Sequence, residues 1–225
     1  MTEPSAAVPK DGRADLTRDV ILIGASAGGI QAISKLLAEL PPKLRAAVAV
    51  TLHRSPSHPS MLGSIFGARS KLEVVEPRGG ELFEPGRVYL APPNRHLVFG
   101  GGLVLLNDGP KEHHSRPSID VMFRSGAQNF GSRVIGVILT GHLADGVAGL
   151  SAITNEGGLS IAQDPAEAFA PSMPLNAVTH DDVDVIVNLN AAAEVLSKLV
   201  ESKGVDAAAR THGARRLNPV LPRDV

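Results

Sequence analysis

The sequence predicts an α/β protein: a doubly wound, mostly parallel sheet flanked by helices in a three-layer, Rossmann-like arrangement, with an antiparallel hairpin. Three observations carry that reading. Short, fully apolar runs such as Val20-Ile21-Leu22-Ile23 and Val134-Ile135-Gly136-Val137-Ile138-Leu139 are the mark of strands buried on both faces. They alternate with stretches whose apolar residues recur at helical spacing, as at positions 30, 33, 36 and 37. Glycine and proline mark the changes of period, as in Gly24-Ala25-Ser26-Ala27-Gly28-Gly29, Pro41-Pro42 and Gly157-Gly158.

In order along the chain, residues 1–18 mix Pro, Ala, Asp, Arg and Gly without periodicity and are expected to form a flexible leader. The first strand and its helix occupy roughly 19–40, and Pro41-Pro42 stop the helix. Ala46 to Leu52 is a second buried strand ending in His53-Arg54-Ser55-Pro56, followed by a short helix around 59–68 and a third strand, Lys71 to Val75. Arg87 to Ala91, His96 to Phe99 and Leu103 to Leu106, separated by Pro92-Pro93-Asn94 and Gly100-Gly101-Gly102, read as an antiparallel hairpin or meander. Pro117 to Phe130 reads as a helix with Ser115 or Ser118 near its start and Pro117 in its first turn. The strand Val134 to Leu139 ends in Thr140-Gly141-His142-Leu143-Ala144-Asp145-Gly146, and a helix over about 146–156 is closed by Gly157-Gly158. Leu159 to Gln163, a helix around 172–179, Val183 to Val187 and a helix Ala191 to Lys203 complete one domain over 19–203, with 204–225 as a flexible tail.

Composition narrows the function. Twenty-two Lys and Arg against 23 Asp and Glu leave a net charge of −1, so no global field recruits nucleic acid or an anionic membrane. Six Phe, one Tyr and no Trp leave little for base stacking. The absence of cysteine excludes disulfides, thiolate chemistry and Cys-based metal sites. His113-His114 and the His53/His58 pair lack an acid at ligand spacing and form no H-E-x-x-H helix, so neither metal nor cofactor is expected. With no apolar run of about 18 residues and no signal peptide, a soluble cytoplasmic protein without membrane insertion is expected.

The glycine-rich turn after the first strand admits three readings. A dinucleotide fingerprint needs Gly where Ser26 stands and an acid at the end of the next strand, which here ends in His53. A P-loop is excluded because no Gly-Lys-Ser/Thr follows. A nucleophile elbow fits Gly24-Ala25-Ser26-Ala27-Gly28 literally as G-x-S-x-G, although only 25 residues precede the serine, too few for the ordinary α/β-hydrolase order. A merely structural turn stays open beside them. In doubly wound sheets the functional crevice lies at the carboxyl ends of the strands. Three polar loops fall there, bearing Ser26, His53 and Asp145, and these are the ingredients of acyl-transfer catalysis.

At this point residues 18–200 resemble the catalytic domain of chemotaxis receptor methylesterases, the CheB type. The resemblance is carried by Gly24-Ala25-Ser26-Ala27-Gly28-Gly29, Leu90-Ala91-Pro92-Pro93-Asn94-Arg95-His96, Asp108-Gly109-Pro110, Arg116-Pro117-Ser118-Ile119-Asp120-Val121-Met122-Phe123, Gly136 to Gly141 with Asp145-Gly146, and Met173-Pro174. It implies a serine esterase that removes methyl groups from glutamate methyl esters of chemoreceptors, releasing methanol, and by the same chemistry a glutamine deamidase. It implies Ser26 as nucleophile, His53 as general base and then acid, and Asp145 as the residue orienting His53. The loop at His142 and the turn at Ala27 are implied to line the oxyanion hole. Arg116 is a candidate for holding a substrate carboxylate, or for packing around the following helix.

Two positions depart from the family pattern, Ala27 where Thr is common and His142 where Met is frequent. Typical members also carry an N-terminal receiver domain. With so short a leader here, a stand-alone catalytic domain is expected, either constitutively active, controlled by a separate regulatory protein, or acting on a substrate that is not a chemoreceptor. The partner implied is a methylated chemoreceptor-type protein. The rival reading is a catalytically quiet module that binds a signalling partner through the cleft or the tail, and geometry at Ser26, His53 and Asp145 discriminates the two.

Overall fold

The structure, a computed structural model, describes residues 17–54, 61–181 and 183–202. The expected leader (apart from residues 17 and 18), His58, the start of the helix expected at 59–68, and the expected tail lie outside the described residues. Arg18, placed in the leader by the sequence reading, is buried.

The elements in chain order are β1 (Val20–Ala25), α1 (Gly29–Glu39), β2 (Ala47–Leu52), α2 (Leu62–Gly67), β3 (Glu73–Val75), β4 (Glu81–Leu82), β5 (Arg87–Leu90), β6 (His96–Gly100), β7 (Leu103–Asn107), α3 (Ile119–Phe130), β8 (Val134–Ile138), α4 (Val147–Asn155), β9 (Leu159–Gln163), α5 (Ser172–His180), β10 (Val185–Val187) and α6 (Leu189–Glu201). A 3₁₀ turn, Gly131–Arg133, joins α3 to β8. Seven strands form one sheet in the order β10-β9-β8-β1-β2-β5-β3, every neighbour parallel. β1, β2, β8 and β9 are buried along their whole length, which is why they read as continuous apolar runs rather than alternating ones.

Two apolar layers clothe the sheet. One face packs Ile21, Ile23, Val48 and Val50 against Ile33, Leu36 and Leu37 of α1 and Leu196 of α6. The other packs Leu22, Ala49 and Ile138 against Ile119, Met122 and Phe123 of α3 and Leu150 of α4. Each fully buried Leu, Ile or Phe contributes about 1.5–3 kcal/mol, so truncating Leu36 or Phe123 to Ala would loosen a whole helix from its face.

Two expectations need correction. Arg87–Leu90 does not belong to the meander: β5 pairs in parallel with β2 and β3 in the main sheet, while β4, β7 and β6 form the small antiparallel sheet. Its short apolar run serves either sheet equally well, and pairing is a tertiary choice. Pro117 lies outside the helix it was expected to start, because α3 begins at Ile119 with Ser118 in the cap position. Among the described residues no helix is long and apolar enough to cross a membrane.

Candidate active site

β1 is the centre of the sheet. The chain runs from it to β2 on one side and places β8 on the other, so the topological switch lies at the carboxyl ends of β1 and β8, where doubly wound proteins bind ligands. Ser26 leaves β1 there, His53 leaves β2, and Asp145 closes the loop that follows β8.

Register brings the chain ends that carry Ser26 and His53 together. Gly24 pairs with Thr51 and Ala25 with Leu52, and the His53 amide donates to the Ala25 carbonyl at 3.1 Å. Ser26 and His53 each follow one residue after that last register pair, at the ends of neighbouring parallel strands. Alternation also sets their face. Ala25 and Leu52 point into the α1/α6 layer, whereas Thr51 donates to Met122 Sδ of α3. Ser26 and His53 therefore fall on the α3 side of the sheet.

Asp145 waits on that side, 1% exposed. His53 Nε2 lies 2.6 Å from Asp145 Oδ2, which also accepts the Ile119 amide at 2.8 Å. Asp145 Oδ1 accepts Ser118 Oγ at 2.9 Å and the Asp120 amide at 3.0 Å. The carboxylate thus sits on the free amides of the α3 N-terminus, where unpaired N–H groups and the helix dipole favour an anion. Burial acts to raise the Asp145 carboxyl, but the hydrogen bond from His53 and the amides of Ile119 and Asp120 outweigh it and hold it below the usual carboxylate range. With Nε2 committed to Asp145, Nδ1 is the ring nitrogen that remains. Among the described residues Ser26 Oγ has no hydrogen-bond partner.

The turn after Ser26 is held from β8. The Ser26 amide donates to the Thr140 carbonyl at 3.0 Å, and Thr140 Oγ1 donates to the Ala27 carbonyl at 2.9 Å. Gly28, at φ 75°, takes a left-handed conformation that suits glycine and opens α1. Gly141 approaches so closely that a Cβ there would lie 2.6 Å from Met173 Sδ and 2.9 Å from Ser26 Cβ. Gly141 N–H donates to Ala170 and Leu143 N–H to Ser172 Oγ, whereas among the described residues the Ala27 and His142 amides have no partner. Leu143 and Phe169 stand exposed at this end.

The remaining candidates sort by their contacts. Arg116 is half-buried near His53 and donates to Asn94 Oδ1 and the carbonyls of Asp108 and Gly109. His96 is structural: its Nε2 lies 2.9 Å from the Pro110 carbonyl and its Nδ1 accepts the Ser118 amide, bracing the strand–helix junction beneath Asp145. Arg95 forms a two-pronged ion pair with Asp108. His113, Asp120 and Asp145 bring one potential ligand atom each within 4.8 Å of one another. Those atoms are already engaged: Asp145 accepts four donors, and Asp120 holds the Gly149 amide and His113.

Fold and site together define a class: a doubly wound α/β protein carrying serine, histidine and aspartate on three adjacent strand ends at its switch point. The chain belongs to the CheB methylesterase family, whose profile matches residues 21–196. It is 37% identical over 191 residues to a protein-glutamate methylesterase/protein-glutamine glutaminase of Methanosarcina mazei, covering 81% of this chain and 52% of that one. It is 38% identical over 181 residues to a protein of the same name from Anaeromyxobacter dehalogenans, covering 80% and 53%. The chain therefore spans about half the length of the curated relatives it matches. The crystal structure of the Thermotoga maritima CheB methylesterase catalytic domain superposes with a TM-score of 0.77 at 30% identity, covering 81% of this chain and 98% of that one.

Proposed function

We propose that this protein is a cytoplasmic serine hydrolase that removes the methyl group from glutamate methyl esters of a chemoreceptor-type protein, releasing methanol, and that it hydrolyses glutamine side-chain amides by the same route. The observation that carries the reading is the seat of Asp145. A buried carboxylate held by three donors from Ser118, Ile119 and Asp120 keeps its last acceptor position for His53 Nε2–H, which leaves Nδ1 as the ring nitrogen to serve Ser26.

In the first half-reaction His53 Nδ1 takes the Ser26 proton as Oγ attacks the ester carbonyl, and Asp145 stabilises the imidazolium that forms. The Ala27 and His142 amides receive the oxyanion; losing such a donor costs about 3–4 kcal/mol of transition-state stabilisation. His53 then protonates departing methoxide, and water releases the glutamate by the reverse path. Only backbone donors are needed at Ala27 and His142, so the side-chain departures there leave this chemistry in place. The test is methanol release from a methylated receptor fragment, compared with Ser26→Ala. Release that disappears in the variant supports the reading. Release that persists in it, or labelling of another residue by a serine-directed phosphonate, overturns Ser26 as nucleophile.

A further inference from the structure

A cleft of about 290 Å³ opens beside His53. Its charge comes from Arg54, Lys111 and Arg116, and Asn94 and His114 also line it. Arg54 is paired with Glu76 at 3.2 Å, whereas Arg116 has no ion-pair partner among the described residues. Its Nη1 donates to the Asp108 and Gly109 carbonyls, both at 2.8 Å, and its Nε and Nη2 donate to Asn94 Oδ1 at 3.1 and 2.9 Å. Every one of these acceptors is neutral, so the guanidinium is fixed in place with no carboxylate on it among the described residues. Lys111 is exposed and has no ion-pair partner among the described residues. The nearby acids face other cations: Asp108 holds Arg95 and Glu112 holds Arg124. A chain of net charge −1 thus presents a positive cleft at its candidate base.

We propose that this cleft is a specificity subsite for an acidic side chain flanking the reacting ester on the polypeptide substrate. The proposal rests on the polypeptide-ester reading above. The cleft lies at the small end of ligand pockets, a size for one side chain rather than a cofactor. Arg116 is the fixed charge, its rotamer freedom already spent on Asn94 and the two carbonyls, and such preorganisation lowers the cost of binding. Lys111 is the adaptable one, a point charge on a flexible stem that follows the carboxylate.

The test uses three fluorescent peptides bearing the same glutamate methyl ester, flanked by glutamate, glutamine or lysine. Binding is read by anisotropy on Ser26→Ala protein, so that the ester survives, and methanol release is read on the parent. The acidic peptide is expected to bind about three- to tenfold more tightly than the neutral one at low salt. The gap should close as ionic strength rises. Lys111→Gln should narrow it, and Lys111→Glu should move the preference toward the lysine-flanked peptide; both changes lie at an exposed position and leave the fold intact. Equal binding of the acidic and neutral peptides overturns the subsite, as does a preference that Lys111→Glu leaves unchanged. If the parent releases no methanol while acidic peptides still bind preferentially, the esterase reading fails and the subsite stands.

Discussion

Two aspartate–histidine pairs sit within one turn of the same helix start, and they are built in opposite ways. In one, Asp145 gathers Ser118 Oγ and the amides of Ile119 and Asp120 before it meets His53 at 2.6 Å. In the other, Asp120 has the Gly149 amide and then His113 at 2.9 Å, with His113 45% exposed. Burial and the neighbouring charge of Asp145 push the Asp120 carboxyl above its ordinary value, against the pull of Gly149, His113 and Arg124. The Asp145 carboxyl lies below its own. What makes a carboxylate a reliable anchor is therefore the number of donors aimed at it. An adjacent imidazole is common to both pairs and does not distinguish them.

The comparison can be broken most sharply at Asp145. Asp145→Asn presents an amide N–H₂ to a ring of donors and should cut turnover about 10³–10⁴-fold, whereas Asp120→Asn should stay within about tenfold of the parent. Methanol-release kinetics on both variants check this, and similar losses would erase the distinction. Gly141→Ala comes next. Its Cβ must displace Met173 or Ser26, so turnover should fall about 10²-fold and stability by about 1–3 kcal/mol, read by kinetics and urea melts. Ser118→Ala removes one of the four Asp145 donors and should cost about 1.5–3 kcal/mol in stability, with turnover reduced about tenfold.

Smaller effects sharpen the contrast through pH. Asp145, held below 3.8, contributes stability that is fully present above that value and is lost as pH falls through its folded value. Asp120, held above 3.8, costs stability as pH rises from that value through its folded one. Asp120→Asn removes the cost, so its melting temperature relative to the parent should be higher at neutral pH than at about pH 3. Thermal melts across that range decide it, and a constant difference would mean that Asp120 carries no such penalty. The smallest change is His113→Gln: the imidazole is 45% exposed over a buried Asp120, and glutamine can still donate to that carboxylate, so turnover should stay within about twofold.

Much of this was legible before any fold was known, because the physics involved is local. β1 and β8 are recognisable from unbroken apolar runs, the Ser26 turn from its glycines, and the three loops from their place after strands. The seat of Asp145 was not legible. Ser118 and Ile119 lie 27 and 26 residues before it, and Pro117 misleadingly suggested an earlier helix start that would have buried Ser118 in the first turn. The close approach of Gly141 to Ser26 also left no local trace, since Gly141 reads as any loop glycine.

The sequence by itself determined most of the strands and helices, though not β4 (Glu81–Leu82) or the start of α3, and which loops carry serine, histidine and aspartate, because period and turn chemistry act over a few residues. The tertiary structure alone decided that β5 joins the parallel sheet, that α3 aims its N-terminus at Asp145, and that Arg116 stands charged beside His53. Strand pairing and helix docking depend on total burial across distant segments, and no single stretch of chain encodes that sum.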